Sequence, residues 1–180
     1  MPKTLRTVAL AAVAAAFAAG SGSAHAAYTF YNDDGGNGAL SGSYPAFTIT
    51  GSNDGSGVDD TAFYVQTYAS PITISFTWQY ESLDSGGSVY DPAGWILDGV
   101  ETQLSIDGGP GTTSSGSSSV DVAAGQTFGW YVHSFDSTGG AGVLAVDEDL
   151  PPAVPEPADA ALTMAGLVAL LALVRRPRNG

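Results

Sequence analysis

The chain has no cysteine, and its 180 residues hold only five Lys and Arg against eighteen Asp and Glu. Without thiols there can be no disulfide staple, so any exported domain must be held by its own core or by bound ions. The five bases sit at the two ends: Lys3 and Arg6, then Arg175, Arg176 and Arg178. Between Ala27 and Pro157 there is neither Lys nor Arg, whereas of the eighteen acids only Asp159 falls outside that stretch. A segment this acidic repels a phosphate backbone, and nucleic-acid binding is excluded. The middle also shows no helical apolar period, nucleophile elbow, metal-binding histidine pair or phosphate loop. Its one histidine, His133, lies in an aromatic stretch and reads as structural or surface. Carboxylate pairs such as Asp84 with Asp91, or Asp98 with Glu101, are what a glycosidase would use, but so many acids bring some together by chance. No enzyme activity is expected.

What is present begins with a leader. Lys3 and Arg6 precede an apolar run from Val8 to Ala19, and Ala24 and Ala26 give the small-x-small pattern read by signal peptidase. Cleavage after Ala26 leaves Ala27 as the first residue. The run rises only about 18 Å, too short for a hydrocarbon core of roughly 30 Å. Residues 1–26 are therefore expected to be a signal peptide. Basic chain ends mark the cytoplasmic side, so the acidic middle is translocated.

From Ala27 to Val146 the chain is rich in Gly, Ser, Thr and aromatics, with short apolar runs between turn signals. This predicts a single all-β sandwich, jelly-roll-like, of about eight strands. Its clearest strand is Ile72 to Tyr80, where Ile72, Ile74, Phe76, Trp78 and Tyr80 alternate with Thr73, Ser75, Thr77 and Gln79. Asp98 and Gly99 predict a two-residue hairpin turn between Trp95–Leu97 and Val100–Leu104. The Ser/Thr/Gly stretch from Gly108 to Ser119 reads as a mobile loop, and Val120–Val122 as pairing with Thr127–Phe135. From Asp147 to Pro157 the acids and four prolines predict a linker.

The last segment is an apolar stretch from Ala160 to Val174, within an expected helical tail of residues 158–180. At roughly 22 Å it is a short, marginal single transmembrane helix. Val154, Pro155, Glu156 and Pro157, then this helix, then Arg175, Arg176 and Arg178 resemble the PEP-CTERM sorting tail of exported Gram-negative proteins. The resemblance implies an exosortase-type enzyme as partner, removal of the helix near the Pro-Glu-Pro motif, and passage to the cell surface or extracellular matrix. It also implies an exopolysaccharide setting. The middle resembles, more loosely, small β-sandwich ectodomains that carry this tail, through Thr50–Gly57, Phe76–Trp78, Tyr90–Gly99, Thr102–Ser105 and Ala124–Gly129. Ala145–Leu150 departs from the regular final strand of those ectodomains.

Two acidic, Gly-rich stretches, Asn32–Gly38 and Asn53–Asp60, have the composition of turns. The second could alternatively hold Ca²⁺ through Asp54, Asp59 and Asp60, since a hard cation wants many oxygen ligands on a flexible loop. Of the three tryptophans, Trp78 and Trp130 fall in phase with apolar neighbours, and Trp95 is the candidate glycan contact. The leading expectation is a non-catalytic, exopolysaccharide-associated protein of the cell surface or matrix. The alternative is a Ca²⁺-dependent carbohydrate-binding module, and a third is an extracellular hydrolase.

Overall fold

The computed structural model describes residues 27–149. The expected leader with Ala24 and Ala26, the Val154–Pro157 motif, the apolar tail and Arg175, Arg176 and Arg178 lie outside the described residues. Those described form ten strands and no helix, arranged as two antiparallel sheets of five. The first sheet runs β1 (Thr29–Asn32), β4 (Asp60–Thr67), β9 (Thr127–Ser134), β6 (Ala93–Leu97) and β7 (Val100–Gln103). The second runs β2 (Ala39–Ser43), β3 (Ala46–Thr50), β10 (Gly142–Glu148), β5 (Ile72–Ser82) and β8 (Thr113–Val122). The all-β sandwich expected from the sequence is thus the architecture seen.

Alternation builds the core. In β5, Ile74, Phe76 and Tyr80 are buried while Thr73, Thr77 and Gln79 are exposed, as the period of two requires. Phe47 and Ile49 of β3 and Leu144 and Val146 of β10 complete that face. Opposite them stand Ala62 and Tyr64 of β4 with Phe128, Trp130 and Val132 of β9. Trp130 is fully buried and meets Phe47, Phe76 and Phe128 edge-on at 4.9, 5.8 and 5.0 Å between ring centroids. Such aromatic contacts add to the large area each ring removes from water. The hairpin turn is also as expected, with Asp98 at φ 49° and Gly99 at φ 81° joining β6 to β7.

Three local expectations are corrected. The stretch Gly108–Ser119 is not wholly a loop, because Thr113 onward forms β8, paired with β5 from Glu81↔Thr113 to Ile72↔Val122. Its inward face reads Ser114, Gly116, Ser118, since the large rings opposite (Tyr80, Trp78 and Phe76) take the space. A side chain on Gly116 would meet the Trp78 ring at 3.1 Å. Second, Val120–Val122 does not pair with β9. The Ala123–Gln126 corner, with Gly125 at φ 86°, carries the chain from one sheet to the other. Third, the last strand extends through Asp147 and Glu148 into the expected linker. It pairs with both β3 and β5 at the centre of its sheet, so the Ala145–Leu150 departure does not open the sandwich. β2 was not expected, because Ala39–Ser43 carries a single large apolar residue, Leu40.

Candidate functional site

β4 presents Ala62, Tyr64 and Gln66 inward, and Tyr68 follows in the same phase. Toward this end of β4 the sandwich opens into a cavity of about 420 Å³. Tyr28, Tyr64, Tyr68 and Gln66 line it from the first sheet side, Ile72 and Ile74 of β5 from the other. Ala27, Thr73, Asp149 and, at the β2–β3 turn, Ser43 and Tyr44 complete the lining, with Glu148 from the end of β10. Tyr28 is sandwiched between two rings, stacked on Tyr44 at 5.8 Å and on Tyr64 at 4.7 Å. Tyr44 is the exposed end of this stack, at 40%.

The polar groups are chained. The Tyr28 hydroxyl donates to Glu148 Oε1 at 3.1 Å, and its oxygen lies 2.7 Å from the Tyr68 hydroxyl. Because Tyr28 spends its one proton on the carboxylate, Tyr68 is the donor to Tyr28. Glu148 is 5% exposed. Burial pushes its carboxyl up to about 7, with the Tyr28 hydrogen bond pulling the other way. Burial likewise raises Tyr68 to about 12, and raises Tyr28 further still, with the Glu148 charge reinforcing it. Tyr28 and Tyr68 are therefore neutral hydroxyls at ordinary pH. The arrangement offers aromatic faces, hydroxyls, a side-chain amide and a carboxylate, which suits a ligand with both apolar faces and hydrogen-bonding groups.

The chain is similar in structure to carbohydrate-binding modules of family 35. With the Clostridium thermocellum module the identity is 14% and the TM-score 0.34, covering 68% of this chain and 94% of that one. With one from an environmental isolate the values are 12% and 0.38, covering 74% and 96%. With the module from Paenibacillus barcinonensis they are 11% and 0.33, covering 68% and 99%. No protein-family model matches the chain, and no curated protein matches it.

The residues singled out in the sequence lie elsewhere and face different ways. Asp54 is exposed, and its pKa is lowered by the Ser56 side chain and by the Ser56 amide, from which it accepts at 2.8 Å. Asp59 pairs with His133 Nε2. Asp60 is buried, accepts from the Gly36 amide at 3.2 Å, and leaves no room for any side chain at Gly36. Among the described residues, no three His, Asp or Glu converge as a metal-holding group. Trp95 is half-buried against the core, its ring 6.1 Å from Phe128. Asp98 accepts from the Thr127 amide at 2.8 Å and from Gln126, so it serves its turn.

Asp84 and Asp91 are both buried, at 3% and 0% exposure. Asp84 accepts from the Gly86 and Gly87 amides. Asp91 receives no hydrogen bond on either carboxylate oxygen, although its carbonyl accepts from the Tyr80 hydroxyl at 2.7 Å. Burial pushes its carboxyl up to about 7, with the charges of Asp84 and Asp136 reinforcing it and that of His133 opposing it.

Sequence reasoning missed the tyrosine cavity. Tyr28, Tyr44, Tyr64 and Glu148 are far apart in the chain and form no motif. One signal was available: Gln66 interrupts the inward face of β4 between Tyr64 and Tyr68. A polar residue in an inward phase marks either a buried hydrogen bond or a cavity.

Proposed function

We propose that this is an exported, non-catalytic protein whose β-sandwich binds glycan in the tyrosine cavity. The observation that carries the reading is the cavity itself, an exposed tyrosine face at the rim with hydroxyl, amide and carboxylate groups behind it. Sugars present apolar C–H faces for stacking and hydroxyls for hydrogen bonding, and about 420 Å³ is the size of a small-ligand site. The two carboxylates of the cavity are consecutive, Glu148 buried and Asp149 exposed, so they do not face one another across a bond as a glycosidase pair does. The cavity also lies apart from Asp54, Asp59 and Asp60, so glycan binding does not run through a calcium ion on those residues. The test is binding to a panel of polysaccharides by affinity electrophoresis. Wild-type protein is retarded, and Tyr44→Ala loses the retardation while Trp95→Ala keeps its cavity and binds. Retardation by no polysaccharide, or equal retardation of Tyr44→Ala, contradicts the reading.

Delivery is part of the proposal. The leader ending at Ala26 exports the chain, and the PEP-CTERM-like tail hands it to an exosortase-type enzyme that releases it to a polysaccharide-rich surface. Glu156→Ala should leave an unprocessed form in the inner membrane, read by intact mass and fractionation. Wild-type mass and location in that variant sink the sorting step.

A further inference from the structure

We propose that the cavity selects a sugar bearing a free amine, its ammonium seated against the Glu148 carboxylate and the exposed Tyr44 ring. This rests on the glycan reading of the cavity and names the sugar class it takes. The cavity is lined by no Lys, Arg or His among the described residues, and it carries two carboxylates, Glu148 within and Asp149 at the rim. Among the described residues the sole basic side chain is His133, and it is paired with Asp59. Glu148 accordingly has no counter-charge there among the described residues. The one hydrogen bond it receives among the described residues comes from Tyr28, on Oε1.

Glu148 Oε2 is not among the buried side-chain oxygens that lack a partner, so it stays open to the cavity, and a charged donor brought by a ligand can pair with it there. The stacked tyrosines add to the same preference, because the electron-rich face of an aromatic ring attracts an ammonium. Tyr44 offers that face at the mouth, beside the Tyr28 ring whose hydroxyl already reaches Glu148. A uronate would bring a third carboxylate into a site without a cation, so the cavity excludes acidic sugars. An N-acetylated amine keeps an N–H donor but loses the charge. A neutral hexose offers hydroxyls alone.

The test is calorimetric titration of the purified full chain near pH 7, with salt at about 0.15 M to screen surface attraction. The probes are the β-1,4-linked disaccharide of glucosamine, its N-acetylated counterpart, the corresponding glucose disaccharide and a uronate disaccharide. Expected is at least about tenfold tighter binding of the amine form than of the N-acetylated form, with the uronate weakest. Glu148→Gln should bring the amine form down to the level of the N-acetylated one, its thermal melt confirming that it folds. Glu101→Gln removes one exposed acid on β7, away from the cavity lining, and should keep the preference. Equal affinity for amine and N-acetylated forms, or a preference that persists in Glu148→Gln, overturns this inference. Binding of the neutral disaccharide in that case leaves the glycan reading intact, whereas binding of none of the four overturns that reading as well.

Discussion

Glu148 and Asp91 are two buried carboxylates at opposite ends of one strand, and they live under different terms. Glu148 closes β10 and faces a cavity with the Tyr28 hydroxyl on it. Asp91 packs against Gly142, where β10 begins, and no donor reaches its oxygens. Burial pushes both up to about 7. The same desolvation thus acts on a group that lines a cavity and on one packed against Gly142. In a domain region without Lys or Arg, the only basic charge acting on either carboxylate among the described residues is that of His133 on Asp91.

The largest effect follows from the direction of those shifts. A carboxyl whose pKa is raised on folding favours the folded state while it is protonated. That stability is complete below its unfolded pKa, near 4, and is lost as pH rises through about 7. Between pH 5 and pH 8 each carboxyl should account for roughly 2–3 kcal/mol of this loss. Urea unfolding at pH 5 and pH 8 should show a less stable protein at pH 8. Asp91→Asn and Glu148→Gln should each flatten the difference. A profile that is flat in the wild type, or unaltered in Asp91→Asn, breaks the comparison.

Next in size is Gly142→Ala. The added methyl would lie 2.9 Å from Asp91 Cβ and from its carbonyl oxygen, and 3.1 Å from Val132. Crowding at a sealed site costs about 1–3 kcal/mol, and glycan binding at the far end should be unchanged. A smaller effect is expected of Tyr28→Phe, which removes the donor to Glu148 and leaves Tyr68 without its acceptor. It should cost roughly 1–2 kcal/mol above pH 7 and raise the pKa of Glu148, readable by carboxyl NMR titration. A fall in that pKa would mean that Tyr28 is not its donor.

The two ends also differ in how far they could be read from the sequence. The sandwich and the strand Ile72 to Tyr80 follow from alternation, which is a local property. The Asp98–Gly99 turn was legible for the same reason, since its two positive φ angles belong to adjacent residues. β8 was hidden because its inward Ser and Gly are complements of rings on β5, and their meaning depends on a partner strand. The cavity was hidden for a related reason. Tyr28 reaches Glu148 across 120 residues, through a topology that places β1 and β10 in different sheets. Turn-like composition drew attention to Asp54, Asp59 and Asp60, but adjacency in sequence alternates the direction of side chains, and the fold gives each a separate partner. Trp95 was legible as a large aromatic ring, while its packing on Phe128 was not.

The most direct test of the cavity is to locate a bound sugar by residue. Protein labelled for NMR would be titrated with whichever saccharide of the panel binds, and amide shifts followed along the chain. Shifts centred on Tyr28, Tyr44, Gln66 and Asp149, with β6 and β7 quiet, are the predicted result. Shifts centred on Trp95 or on the Asn53–Asp60 loop, with the tyrosines unmoved, would place glycan binding elsewhere and contradict it.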